Sequence, residues 1–208
     1  MHYLALIGTV TAVHLLGAIS PGPDFIMAVR NSLNYGRRAG IWTSVGFGLG
    51  ISIHIFYCLA GLAIIISKSI LAFNFIKFLG AGYLIYIGIK SFFSKSSQIE
   101  VSDEKNEKNI SSFEALKMGF FTNILNPKAS LFFLSLFTFV ISPDTPKYVM
   151  AILSLIMILD TMLWFSLVSI FFTQEKVQEL FNKYQGAFNK VFGALLIGLG
   201  IKIGLSKV

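Results

Sequence analysis

Charge is scarce in this chain. Only 13% of its 208 residues are Asp, Glu, Lys or Arg, against about 25% in an ordinary soluble domain. A water-facing surface of normal polarity cannot be built from so little. Cysteine is nearly absent too: Cys58 stands alone, which excludes an intrachain disulfide and any paired redox thiols. Proline occurs five times, and three of the five fall in two short motifs inside apolar stretches. What fills the chain instead is hydrocarbon. It is 55% hydrophobic and 14% aromatic, with 21 Phe and a mean hydropathy of +0.74. This composition describes an integral membrane protein, with no room left for a soluble catalytic domain. The net charge of +7 fits basic loops gathered on one side of a bilayer better than a nucleic-acid surface, and no nucleic-acid partner is expected.

A spanning helix needs roughly 20 apolar residues, and six such spans fit. The first runs from about Tyr3 to Val29 with an interruption near Pro21; it lacks a basic start and is expected to be retained rather than cleaved. The second covers Gly40 to Ser67 and the third Ile70 to Phe93. Residues 95–112 form a polar loop carrying Glu100, Asp103, Glu104, Lys105, Glu107 and Lys108. Ser111 and Glu114 have the spacing of a capping box, which would start the fourth span, running to Ile141 and broken at Asn126-Pro127-Lys128. Ser142-Pro143-Asp144-Thr145-Pro146 reads as a turn. The fifth span is Tyr148 to Phe172 and the sixth Ala187 to Leu205. Between them, Val177, Leu180, Phe181 and Tyr184 predict a short separate helix lying in the membrane interface. Arg30, Arg37, Arg38, Lys95, Lys105, Lys108, Lys176 and Lys183 put loops one, three and five in the cytoplasm and both termini outside.

The two halves resemble each other. Leu84 to Lys90 and Leu196 to Lys202 match at five of seven positions. Pro21 and Pro127 are 127 − 21 = 106 apart, and each interrupts the first span of its half. Two three-span halves, 1–94 and 113–208, must insert with opposite orientation. The expected fold is therefore all-α, with six transmembrane helices in two inverted repeats and with helices 1 and 4 broken by proline. In transporters of that plan, the site lies between the broken helices.

The breaks carry the chemistry. Pro21 and Pro23 within Ser20-Pro21-Gly22-Pro23-Asp24 remove two backbone donors, and Gly22 permits unusual dihedrals. Irregular backbone at membrane depth is tolerated only where protein or a wet cavity satisfies it. Lys128 at such depth costs roughly 2.5–3.5 kcal/mol on insertion scales, so a carboxylate, carbonyl oxygens or water must face it. Asp24 and Asp160 are the candidate carboxylates. Asp160 pays desolvation in its charged form unless a cation is close; it is then either a reversible proton carrier or the static partner of Lys128. His54 shares the offset, 160 − 54 = 106, so it sits at the equivalent depth; it is either a second proton candidate or a packing residue. No His/Glu metal cluster, nucleophile elbow or nucleotide loop occurs. The chain does not read as an enzyme, and no metal or cofactor is expected.

Several of these motifs occur together in one known family. Gly17 to Asp24, the Gly36-Arg37-Arg38-Ala39-Gly40 turn, Gly80 to Leu84 leading to Gly88-Ile89-Lys90, and Gly119-Phe120 through Asn126-Pro127-Lys128 resemble the LysE/RhtB family of amino-acid exporters. The resemblance covers nearly the whole chain. It implies export, in a bacterial cytoplasmic membrane, of amino acids or close derivatives such as homoserine, threonine, homoserine lactone or basic amino acids. Proton antiport is the implied coupling. Ser20, Pro21, Gly22, Pro23, Asn126, Pro127 and Lys128 match the family's two signatures. The expected partners are thus a small amino acid or derivative, protons and the lipid bilayer, and a homodimer is admissible. A passive channel and a non-transporting scaffold subunit remain the alternatives.

Overall fold

The computed structural model describes residues 2–94, 110–140 and 145–205. Most of the polar central segment and part of the turn before the fifth span lie outside the described residues. Among the described residues there are seven helices and no strand: α1 (His2–Ile19), α2 (Pro23–Lys68), α3 (Ile70–Phe92), α4 (Ser112–Ile124), α5 (Pro127–Val140), α6 (Lys147–Phe171) and α7 (Glu175–Leu205). Four are long and apolar enough to cross a membrane: α3, α6, α7 and the stretch Pro23–Leu62 of α2. Helices α4 and α5 have 13 and 14 residues. At about 1.5 Å per residue neither alone reaches across a hydrocarbon core of about 30 Å.

The ends of these helices follow local rules. Ser111 accepts from the Glu114 N–H while Glu114 returns a bond to the Ser111 N–H, so the expected capping box starts α4. Asn126 caps α5: its Oδ1 accepts from the Lys128 N–H at 3.0 Å, with Pro127 in the first helical position, where no N–H is needed. Helix α2 is two helical segments broken at Gly36, inside the expected first loop; only the loop's length differs, since helix continues to Tyr35 before the break and resumes at Arg37 after it. The φ of 84° and ψ of 166° at Gly36 are open essentially to glycine alone.

The stretch around Val177 corrects a second expectation. It is not a separate interfacial helix but the first turns of α7. Phe181 stacks on Phe25 with ring centroids 4.9 Å apart and meets Phe172 at 5.1 Å. That aromatic contact draws Phe181 and Val177 into the protein, while Leu180 and Tyr184 stay exposed with the charged residues Glu175, Lys176, Glu179 and Lys183.

Helix association inside lipid depends on close packing, since lipid tails are as apolar as Leu. The tightest helix pairs here join the first half of the chain to the second. Gly46 of α2 lies on the backbone of Leu116 and Phe120 in α4, and Gly50 lies on Asn123. Position numbers rise together, so α2 and α4 run parallel. Gly40 meets Ser169 and Gly48 meets Met162, so α2 and α6 run antiparallel. Gly88 meets Gly193 and Ala81 meets Gly200, so α3 and α7 are antiparallel as well. Outward-facing Leu71, Phe75, Leu79, Tyr86, Leu155 and Leu163 are exposed, as side chains facing lipid would be. Two buried apolar clusters form, a larger one around Val10, Leu62, Phe137 and Ile203 and a smaller one around Phe25, Phe47 and Phe172. A polar site lies where they meet.

Candidate functional site

Two helix breaks face each other. At the first, α1 ends at Ile19, the Ser20 N–H still bonds to Leu16 O, and the chain passes through an extended Gly22 (φ −167°, ψ −174°) into Pro23. Asp24 then lies in the first turn of α2, where a carboxylate meets the positive end of the helix dipole. At the second, α4 ends at Ile124 and α5 starts at Pro127.

Each break holds the charge of the other. Lys128, on α5, reaches back to the first break and donates from Nζ to Ser20 O (3.2 Å), Ser20 Oγ (3.2 Å) and Pro21 O (3.4 Å). These acceptors stand at the C-terminal end of α1, the negative end of its dipole. Of the three partners expected for a buried ammonium, carbonyl oxygens are the ones found. Asp24, on α2, accepts from Asn123 Nδ2 at 2.8 Å and from Asn126 Nδ2 at 3.2 Å. A cation from the second half is thus tied to the first break, and an anion from the first half to the second.

A cavity of about 60 Å³ lies between them. Ser20, Gly22, Asp24, Asn126 and Lys128 line it on the polar side, with Phe25, Phe132, Phe133 and Phe165 supplying aromatic walls. Lys128 Nζ also stands 5.8 Å from the ring centroid of Phe192.

His54 and Asp160 are not partners. His54 is buried, with Nε2 3.1 Å from the Asn123 carbonyl and Nδ1 2.8 Å from the Tyr57 hydroxyl. A carbonyl only accepts, so Nε2 carries a hydrogen. Nor does Asp160 pair with Lys128: its Oδ2 lies 3.1 Å from Nδ1 of His14 on α1. Lys128 is held in the gap between the breaks, whereas Asp160 lies on the α1 face of α6. His14 is buried and lines the cavity; its Nε2 is 3.4 Å from Thr161 Oγ1. Phe133 stands between the two histidines, 5.6 Å from His14 and 5.7 Å from His54. Among the described residues, no three His, Cys, Asp or Glu side chains converge as a metal site would require.

The model of the family described as LysE type translocator matches residues 15–207, a span that takes in both breaks. The chain belongs to that family. Among its relatives is the uncharacterized membrane protein YrhP of Bacillus subtilis, 35% identical over 90% of this chain and 93% of the relative. The threonine efflux protein of Escherichia coli K12 is 25% identical over 98% and 100% of the two chains. The homoserine/homoserine lactone efflux protein of Salmonella typhimurium is 32% identical over 62% of each. No solved structure matches the chain.

In this LysE-type translocator, the structure brings nine of the ten residues singled out from sequence to one region: Ser20, Pro21, Gly22, Pro23, Asp24, His54, Asn126, Pro127 and Lys128. The tenth, Asp160, reaches that region only through His14. Sequence reasoning missed His14, Asn123 and Thr161. Two carried a readable signal. His14 shares a helical face with Gly17 and Ala18, at spacings of three and four, in an otherwise apolar span. Asn123 precedes Asn126 by one turn.

Proposed function

We propose that this multi-pass membrane protein exports small amino acids, threonine and homoserine among them, or their close derivatives, by proton antiport. The observation that carries the reading is the crossed arrangement of Lys128 and Asp24 at facing helix breaks. An amino acid presents a carboxylate and an ammonium group, and the cavity presents an ammonium and a carboxylate. The substrate's carboxylate takes a bond from Lys128 and its ammonium group turns to Asp24, which keeps unused lone pairs beyond its two amide donors. Ser20, Pro21, Gly22, Pro23, Asn126 and Pro127 shape the opening between the breaks. His14 and His54 lie on either side of Phe133, and Asp160 is bonded to His14. A cavity of about 60 Å³ must widen to take any whole amino acid, least for a short side chain and most for a basic one. The names of the threonine and homoserine/homoserine lactone efflux relatives point the same way.

The proposed framework is six spans in two inverted halves, 1–94 and 113–208, joined by the cytoplasmic segment 95–112. Both termini lie outside a bacterial cytoplasmic membrane. Support comes from the 106-residue offset between the proline breaks and from the helix directions, parallel for α2 and α4 and antiparallel for α3 and α7. Two packed halves meeting at a polar midplane are what alternating access needs. Counterflow in proteoliposomes tests the function. Vesicles loaded with unlabelled threonine should accumulate labelled threonine or homoserine, and no accumulation of any amino acid by folded, inserted protein would overturn the proposal.

A further inference from the structure

The exporter reading leaves open which group handles the coupled proton, and the deduction that follows rests on that reading. We infer that the buried His14–Asp160 pair, joining α1 to α6 beside the cavity, takes up and releases that proton, with His14 as the carrier and Asp160 as its fixed counter-charge.

Three observations support the assignment. The first is access: His14 and its neighbour Thr161 both line the cavity between the breaks, whereas His54 does not. The second is hydrogen bonding in both protonation states. Nδ1 of His14 lies 3.1 Å from the Asp160 carboxylate, so it keeps its hydrogen whether or not the ring is charged. Nε2 faces the Thr161 hydroxyl at 3.4 Å. A hydroxyl both donates and accepts by rotating about one bond. It donates to Nε2 in the neutral ring and accepts from Nε2–H in the charged one. The proton therefore arrives at or leaves Nε2 with no heavy atom displaced and no polar group orphaned. The third is the place in the architecture. The pair ties α1, from the first half, to α6, from the second, so its charge state bears directly on how the halves meet.

The surrounding charges fit this role. From α6 the ring faces Asp160. From α5, Lys128 shares the cavity, and from α2 Asp24 shares it, while His54 lies beyond Phe133. From α7, the ring centroid of Phe192 lies 5.8 Å from Lys128 Nζ; Lys190 and Lys202 of that helix are exposed. Lys128 and Asp24 are each bonded within the breaks, whereas His14 is in direct contact with the Asp160 carboxylate. His54 is within electrostatic reach of Asp24 but is bonded to the Asn123 carbonyl and to the hydroxyl of Tyr57, an exposed residue of α2, instead of to a carboxylate.

The test separates exchange from coupled transport in full-length His14→Gln and Asp160→Asn proteins in proteoliposomes. Exchange of labelled for unlabelled threonine needs no net proton movement. In both variants exchange should remain measurable, at whatever rate, while acceleration of transport by an imposed pH gradient should fall to a ratio of about one. A pH-reporting dye inside the vesicles should then record threonine movement without proton movement. A His14→Gln protein that still responds to the gradient overturns the inference. So does loss of exchange together with the response, which would make the pair part of substrate binding or packing. Failure of the unaltered protein to exchange any amino acid refutes the exporter reading instead.

Discussion

Lys128 offers the sharpest test of the site, because replacing it by Met keeps the length and apolar character of the stem and removes only the ammonium. Its three contacts, to Ser20 O, Ser20 Oγ and Pro21 O, lie at 3.2 to 3.4 Å. An ammonium has three donors, so a substrate carboxylate must displace one of these acceptors to be held. A hydrogen bond to a charged group contributes about 1.5–3 kcal/mol. At 1.4 kcal/mol per factor of ten, losing the substrate bond lowers affinity roughly 10- to 150-fold. Stability should move far less. The bonds to the first break are lost, but so is a membrane cost of roughly 2.5–3.5 kcal/mol for the buried Lys, and the two largely offset. The expected result for Lys128→Met is thus membrane insertion and a detergent melting temperature close to the parent, with threonine counterflow reduced at least tenfold at subsaturating substrate. Counterflow within threefold of the parent would refute the assignment of the ammonium to the substrate.

Other outcomes follow from packing and backbone geometry. At Gly119 of α4 an added Cβ runs into the Thr43 carbonyl of α2, backbone against backbone, so Gly119→Ala must force the two helices apart and should cost at least about 2 kcal/mol, the scale of overpacking in a core. At Gly198 of α7 nothing lies within 4 Å, and Gly198→Ala should be neutral or stabilise by about 0.5–1 kcal/mol through helix propensity; thermal unfolding in detergent compares the two. Gly36→Ala meets no atom within 4 Å, yet its φ of 84° should still make it lose about 1–3 kcal/mol, a purely conformational effect read by the same melt. Ser111→Ala removes the side-chain acceptor that starts α4 and should destabilise by about 1 kcal/mol, with transport kept in the folded fraction.

Prolines and charges were the legible parts of this sequence. Pro21 and Pro127 marked both breaks, because a missing N–H is a local property that no tertiary contact restores. Asp24 and Lys128 stood out because charge at membrane depth is costly wherever it points. Their pairing was not legible. Whether Lys128 meets Asp160 or the Ser20 carbonyl depends on helix rotation, and apolar spans with hydrocarbon on every side leave rotation unmarked. The beginning of α7 was misread for a related reason. The spacing of Val177 and Phe181 records one apolar face but not what covers it, and protein aromatics rather than lipid do so. The break in α2 was legible: Gly36-Arg37-Arg38 reads as a turn, and Gly36, at a positive φ, is where the two helical segments part; how far helix extends on either side was not.

The crossed bonds at the breaks bear on how the protein is made. Asp24 receives its two amide donors from Asn123 and Asn126, 99 and 102 residues further along the chain. The groove that Gly88 opens on α3 is filled by Gly193, which is later still. When the first three helices have entered the membrane, the partners that satisfy and bury them have not yet been synthesised. Insertion and packing are therefore separate events in this chain. The first half must wait, with a carboxylate and a glycine-lined groove uncovered, until the second half arrives to close both at once.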